Sequence, residues 1–107
     1  MMKGSIDILL LSLLKNRDMY GYEMAKSLKQ SSDDLYNMSE GTLYSALKRL
    51  EKKDWVTNYW SDNDIGGRRK YYSLTDEGKK ELEMKLNQWN QVNSLIDKVR
   101  GPSYEQN

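Results

Sequence analysis

Seven cations gathered in two short runs are where this chain could do chemistry. Lys48, Arg49, Lys52 and Lys53 lie within GTLYSALKRLEKKDWV, and Arg68, Arg69 and Lys70 sit in GGRRKYYSLT. Cations packed this way serve to neutralise an anion. Three adjacent ones at a hairpin tip repel each other and gain little without an anionic partner, of which a phosphate backbone is the commonest. The first run alone is ambiguous. It suits phosphate contact, and it equally suits a solvated face with Lys48 or Lys53 tied to Glu51 or Glu40.

Other chemistry is thinly provided. The chain has no His and no Cys, which removes the commonest general base, the thiolate nucleophile and the commonest transition-metal ligands. Ser, Lys, Asp and Glu could form a Ser–Lys dyad or a carboxylate pair, but no nucleophile motif or phosphate loop accompanies them. The expectation is a protein that is not an enzyme, with no cofactor and no metal. The formal net charge is only +1, so a nucleic-acid partner must be argued from local clustering rather than bulk charge.

The elements that carry these cations follow from periodicity. Ser39 is an N-cap and Glu40 supports the first turn of a helix. Leu43, Ala46, Leu47 and Leu50 share one face of it. Gly41, Ser45, Lys48, Arg49 and Lys52 share the other, with Tyr44 on the flank. Residues 55–60 and 69–74 are aromatic and β-branched, which suits two strands. The polar, glycine-rich link 61–68 makes them a hairpin, and Gly66 and Gly67 serve the turn.

Two helices precede this unit. Residues 4–15 form the first, with Ile6, Leu9, Leu10, Leu13 and Leu14 on one broad face. Ile8 and Leu11 fall opposite, so a second side should meet another protomer. Asn16, Arg17 and Asp18 turn into a second helix over 20–30, with Tyr22, Met24, Ala25 and Leu28 inward. Residues 31–34 end it, and 35–38 read as a short extended piece. Thr75, helped by Asp76 and Glu77, caps a last helix. Its stripe of Leu82, Leu86, Trp89 and Ile96, with Val92, Leu95 and Val99 beside it, is coiled-coil-like. Gly101 and Pro102 stop that helix.

The resulting fold class is α+β, mostly helical: a winged helix-turn-helix over 1–75, a C-terminal dimerisation helix over 76–100 and a flexible tail over 101–107. The chain, at 107 residues, suits one small domain whose lean core gains from oligomerisation. The apolar run 6–14 is interrupted by Asp7, has no cleavage site and is too short to cross a bilayer. A cytoplasmic protein without a membrane partner is expected.

TLY…LKRLE in the third helix, followed by GGRRKYYSLTDEGKKEL, resembles the PadR family of bacterial transcriptional regulators over 6–99. The short last helix is similar to the compact branch of that family, and LNQWNQV over 86–92 is similar to the branch's multidrug-sensing member. The resemblance implies a homodimeric repressor of palindromic double-stranded operator DNA. It puts the third helix in the major groove and the wing on the adjacent minor groove or backbone. The implied DNA contacts are Ser39, Thr42, Tyr44, Ser45, Lys48, Lys52, Arg68, Arg69 and Lys70. It further implies a planar aromatic small molecule held between two copies of Trp89 in a pore that Asp7, Ile8 and Asn93 also line. In that member an aromatic stands where this chain has Leu86.

Rival readings stay open on the residues alone. Tyr44 is either a flank core residue or a ring packed on the fold with its hydroxyl on a phosphate. Trp89 is either a ligand platform or a dimer-core aromatic, the latter in a DNA-binding regulator without a small-molecule pocket, controlled by abundance alone. Trp55 and Trp60 read as packing residues. Ile8, Leu11, Leu82, Leu86, Trp89 and Ile96 are the expected dimer interface, but the last helix could instead join a different protein in an interaction module that never meets DNA. No Asn, Gln or Arg stands in the first turn of the third helix, so strong bidentate base readout is not expected there, and shape and operator symmetry become the source of preference.

Overall fold

The computed structural model describes residues 3–64 and 66–101. The flexible tail expected beyond Gly101, Pro102 included, and Ile65 at the hairpin tip lie outside the described residues. The order is α1 (Lys3–Asn16), β1 (Met19–Tyr20), α2 (Gly21–Ser31), α3 (Glu40–Lys52), β2 (Val56–Asp64), β3 (Gly67–Leu74) and α4 (Asp76–Arg100). This is the winged helix-turn-helix with an added long helix. No helix among the described residues is long and apolar enough to cross a membrane.

The sheet has three strands rather than two, in the order β1-β3-β2. Met19 pairs with Tyr72 and Tyr20 with Tyr71. Two residues carry no readable alternation, so β1 was not visible in the sequence. Residues 35–38 form turn and coil rather than an extended piece.

Leu10, Leu11, Met24, Leu43, Leu47, Leu50 and Leu82 are fully buried. α1 lies at the centre and touches α2, α3, α4 and β3. That position corrects the expected facing of α1. Leu11 has no accessible surface and Leu82 has 1%, so neither is an orphan awaiting a second protomer. Leu82, in the second turn of α4, completes the same core. On a helix apolar nearly all round, periodicity has no phase from which to read which side a neighbour covers. Tyr22, expected inward, is instead exposed, while Met24 and Leu28 are buried as expected.

α4 begins where the wing ends. Thr75 Oγ1 accepts from Gly78 N at 2.9 Å and donates to Asp54 O at 2.6 Å. Thr75 N in turn donates to Trp55 O at 3.1 Å. The first turn of α4 is thereby tied to the base of β2.

Candidate nucleic-acid interface

α3 is aimed by its own apolar face. Leu43, Ala46, Leu47 and Leu50 are buried, so Tyr44, Ser45, Lys48 and Lys52 are turned outward and exposed. Ser39 caps the helix, accepting from Thr42 N at 3.1 Å and donating to Thr42 Oγ1 at 3.0 Å. Its hydroxyl is committed to the helix, while Thr42 keeps a hydroxyl proton to offer outward. Of the bland partners considered for Lys48 and Lys53, Glu51 accepts from Asn58 Nδ2, and Lys53 Nζ lies 4.7 Å from the Trp55 ring centre. Arg49 departs from the expected free face. It is half-buried and donates to Asp7 Oδ1 at 2.5 Å.

The wing cations sit in β3 rather than in the turn. Arg68 is exposed, 3.0 Å from Asp62 and 4.9 Å from the Trp60 ring centre. Arg69 donates to Tyr20 OH at 2.6 Å with its guanidinium over the same ring. Lys70 Nζ lies 5.7 Å from the Tyr72 ring centre. A cation over an aromatic face gains about 0.5–1 kcal/mol at an exposed site, which biases these side chains toward the rings without fixing them, since ordering a long side chain costs up to about 2 kcal/mol. The exposed Arg68–Asp62 pair is weak by the same standard, so a phosphate can displace Asp62.

α3 and the wing converge on an open cleft of about 700 Å³ lined by Tyr20, Tyr22, Tyr44, Trp60, Arg68, Arg69, Lys70 and Tyr72. Tyr44 is the contribution of α3 to that lining, from which Lys48, Arg49, Lys52 and Lys53 are absent; it rests against Gly21 at the start of α2, where a Cβ would stand 2.6 Å from Tyr44 Cζ. Tyr20, Tyr22, Trp60 and Tyr72 line the cleft without being among the DNA contacts expected from the sequence. Trp60 is a correction, since it is more than half exposed instead of packed, whereas Trp55 is half-buried against the core. Burial, aided by Glu51 and Tyr44, pushes the Tyr72 phenol up to about 12.

A second, apolar cavity of about 300 Å³ is lined by Ser5, Ile8, Leu9, Tyr36, Leu86 and Trp89. Ile8 and Trp89 both line it. Asp7 is turned away into its pair with Arg49, and Asn93, one turn further along α4, is exposed outside that lining. Beyond Leu86 the stripe is open: Trp89, Val92, Leu95, Ile96 and Val99 are all exposed, Val99 at 77%. No cluster of His, Cys, Asp and Glu able to hold a metal ion occurs among the described residues.

Comparison with known proteins gives this geometry a context. The profile of the Transcriptional regulator PadR-like family matches residues 10–84. The fold is similar to that of a PadR family transcription regulator from Clostridium difficile R20291, with 43% identity, a TM-score of 0.78, and coverage of 90% of this chain and 98% of that one. A transcriptional regulator from Clostridium thermocellum is similar at 40% identity and a TM-score of 0.77, over 89% of this chain and 92% of that one. The negative transcriptional regulator PadR of Bacillus subtilis is 27% identical over 73 residues, which span 68% of this chain and 40% of that protein.

Proposed function

The chain belongs to the PadR-like family of transcriptional regulators, and from that premise we propose that it is a homodimeric repressor of a near-palindromic operator. It is a transcriptional regulator and not an enzyme. The observation that carries the reading is the single basic and aromatic cleft shared by α3 and the wing. On this reading Thr42 and Ser45 face base edges or backbone in the major groove. Tyr44, Lys48, Lys52, Arg68 and Lys70 contact phosphates, and Tyr22 and Trp60 pack on the sugar-phosphate surface. Ser39 contributes as the cap that shapes the first turn, and Arg69 mainly by bracing Tyr20.

The open stripe on α4 supports a dimer through residues 76–100, with 1–75 as the DNA-binding unit. Two copies related by a twofold axis would read half-sites about 34 Å apart. The negative sign of regulation is supported by the similarity to the Bacillus subtilis regulator. The Ile8–Trp89 cavity opens on the face that a second protomer would cover. It supports relief by a planar hydrophobic molecule between the two Trp89 rings, without the Asp7 carboxylate.

The test is binding to DNA immediately upstream of the protein's own coding sequence, measured across salt concentrations. Arg68→Ala and Lys70→Ala should each weaken binding to all sequences. Each should also lower the log–log salt slope by about 0.9 per lost phosphate contact, counted twice in a symmetric dimer. Affinity and slope equal to wild type in the double variant would remove the wing from the interface.

A further inference from the structure

Asp7 is the charged side chain that the core encloses among the described residues, with 7% of its surface accessible. It stands on α1, and its partner Arg49 stands on α3, 42 positions away in the chain. A buried carboxylate is costly unless it is paired and hydrogen-bonded. Arg49 therefore cannot swing toward a phosphate without stranding Asp7.

Arg49 shares a helical stripe with Ser45, four residues before it, and with Lys52, three residues after it. Those two are exposed on the DNA-facing side. The apolar contacts of Leu43, Ala46, Leu47 and Leu50 set how deeply α3 sits. They also fix which face of α3 meets the core, and leave only a fine adjustment of the helix's exposed edge to polar contacts. A charge-assisted hydrogen bond is directional and short, and this one is made at that edge. Residues 8 and 9, next to Asp7 on α1, line the apolar cavity beside Trp89.

We propose that Asp7 is a positioning residue for DNA recognition: through Arg49 it pins the edge of α3 that carries Ser45, setting the fine register of that residue against base edges within the orientation that the apolar face already gives. The proposal rests on the DNA-binding reading above. It differs from the role implied by the family resemblance, in which residue 7 faces a ligand pore. It also makes α1 a physical link between the cavity and the DNA-reading helix.

The experiment compares wild type and Asp7→Asn, both as the full chain. Three quantities are measured: affinity for the upstream DNA, affinity for unrelated DNA, and amide hydrogen exchange in α3 without DNA. Asp7→Asn keeps the shape and a carbonyl acceptor but removes the charge. Upstream-DNA affinity should fall about tenfold, within the range of one misplaced base contact, while binding to unrelated DNA stays within about twofold. Exchange in α3 should rise, and exchange in α2 should not.

If Arg49 instead contacts a phosphate directly, Asp7→Asn frees it, and binding to both DNAs stays level or tightens. That result overturns the proposal. Unchanged exchange in α3 overturns it too, even where the wild type binds no upstream DNA, a failure that would count against the proposed function instead. Should Asp7→Asn not fold, the double variant Asp7→Leu/Arg49→Met takes its place, since apolar groups of similar volume often replace a buried pair without loss of stability. A folded double variant with wild-type preference for the upstream DNA refutes the positioning role.

Discussion

Gly78→Ala should unseat the last helix from the wing. A Cβ at Gly78 would overlap the Trp55 carbonyl oxygen and stand 2.9 Å from its carbon and 2.8 Å from Leu74 Cδ1. The Leu74 methyl can turn away, but the carbonyl is backbone, held by Thr75 N at 3.1 Å. Relief therefore means moving the first turn of α4 outward. That strains the Thr75 cap, a loss of roughly 1 kcal/mol, and the bond from Thr75 N to Trp55 O, a loss of about 1 kcal/mol. Residual overpacking adds about 1–3 kcal/mol. Alanine returns about 1 kcal/mol of helix propensity, leaving a net destabilisation of roughly 2–4 kcal/mol. Gly41→Ala is the control: its nearest obstacle is Ser39 Oγ at 3.9 Å, so stability should hold or rise by up to about 1 kcal/mol. Urea unfolding followed by far-ultraviolet circular dichroism at several protein concentrations separates stability from dimer linkage. A Gly78→Ala protein as stable as wild type would refute the reasoning, because the carbonyl would then have moved at no cost.

Gly21→Ala meets a side chain rather than backbone, the exposed Tyr44 ring. The ring should tilt with little change in stability while operator affinity falls, and an unchanged Kd would detach Tyr44 from DNA. Ile96→Glu places a charge in the open stripe of α4, so sedimentation should show a shift toward monomer at micromolar concentration; a dimer of wild-type strength would move the interface elsewhere. A flat cationic dye, titrated calorimetrically into a folded Trp89→Ala dimer, should bind about tenfold or more weaker than to wild type, and equal affinity would take Trp89 out of the site. Tyr59 donates to Asp18 at 2.6 Å, and that bond, with some desolvation, pushes its phenol up to about 12. Because the folded value exceeds the unfolded value near 10, its contribution is fully present below pH 10 and is lost as pH rises toward 12. Tyr59→Phe should flatten that part of the alkaline stability curve, and an identical curve would show that the bond does not persist in solution.

Much of this protein was determined by sequence alone, wherever the signal is local. Ser39 and Thr75 cap their helices because a side-chain hydroxyl reaches an amide three residues on, a relation written in the chain. The face of α3 follows from Leu43, Ala46, Leu47 and Leu50 at helical spacing, and the basic hairpin follows from strand-forming runs around two glycines. Tertiary structure decided what depends on residues far apart. α1 is so apolar that its pattern has no phase, and only the packing of α2, α3, α4 and β3 around it shows that Leu11 faces the core. Asp7 and Arg49 meet because α1 and α3 cross, so nothing near either residue announces the pair, and it removes one expected cation from the free face and one expected carboxylate from the ligand cavity. Tyr20, Tyr22 and Trp60 belong to three different elements, and they become one cleft with Tyr44 and the β3 cations only when the two-residue strand β1 docks on the wing. Local hydrogen bonding and amphipathic spacing are properties of neighbouring residues. A shared cleft, a buried charge and the side of an all-apolar helix are properties of how the elements pack.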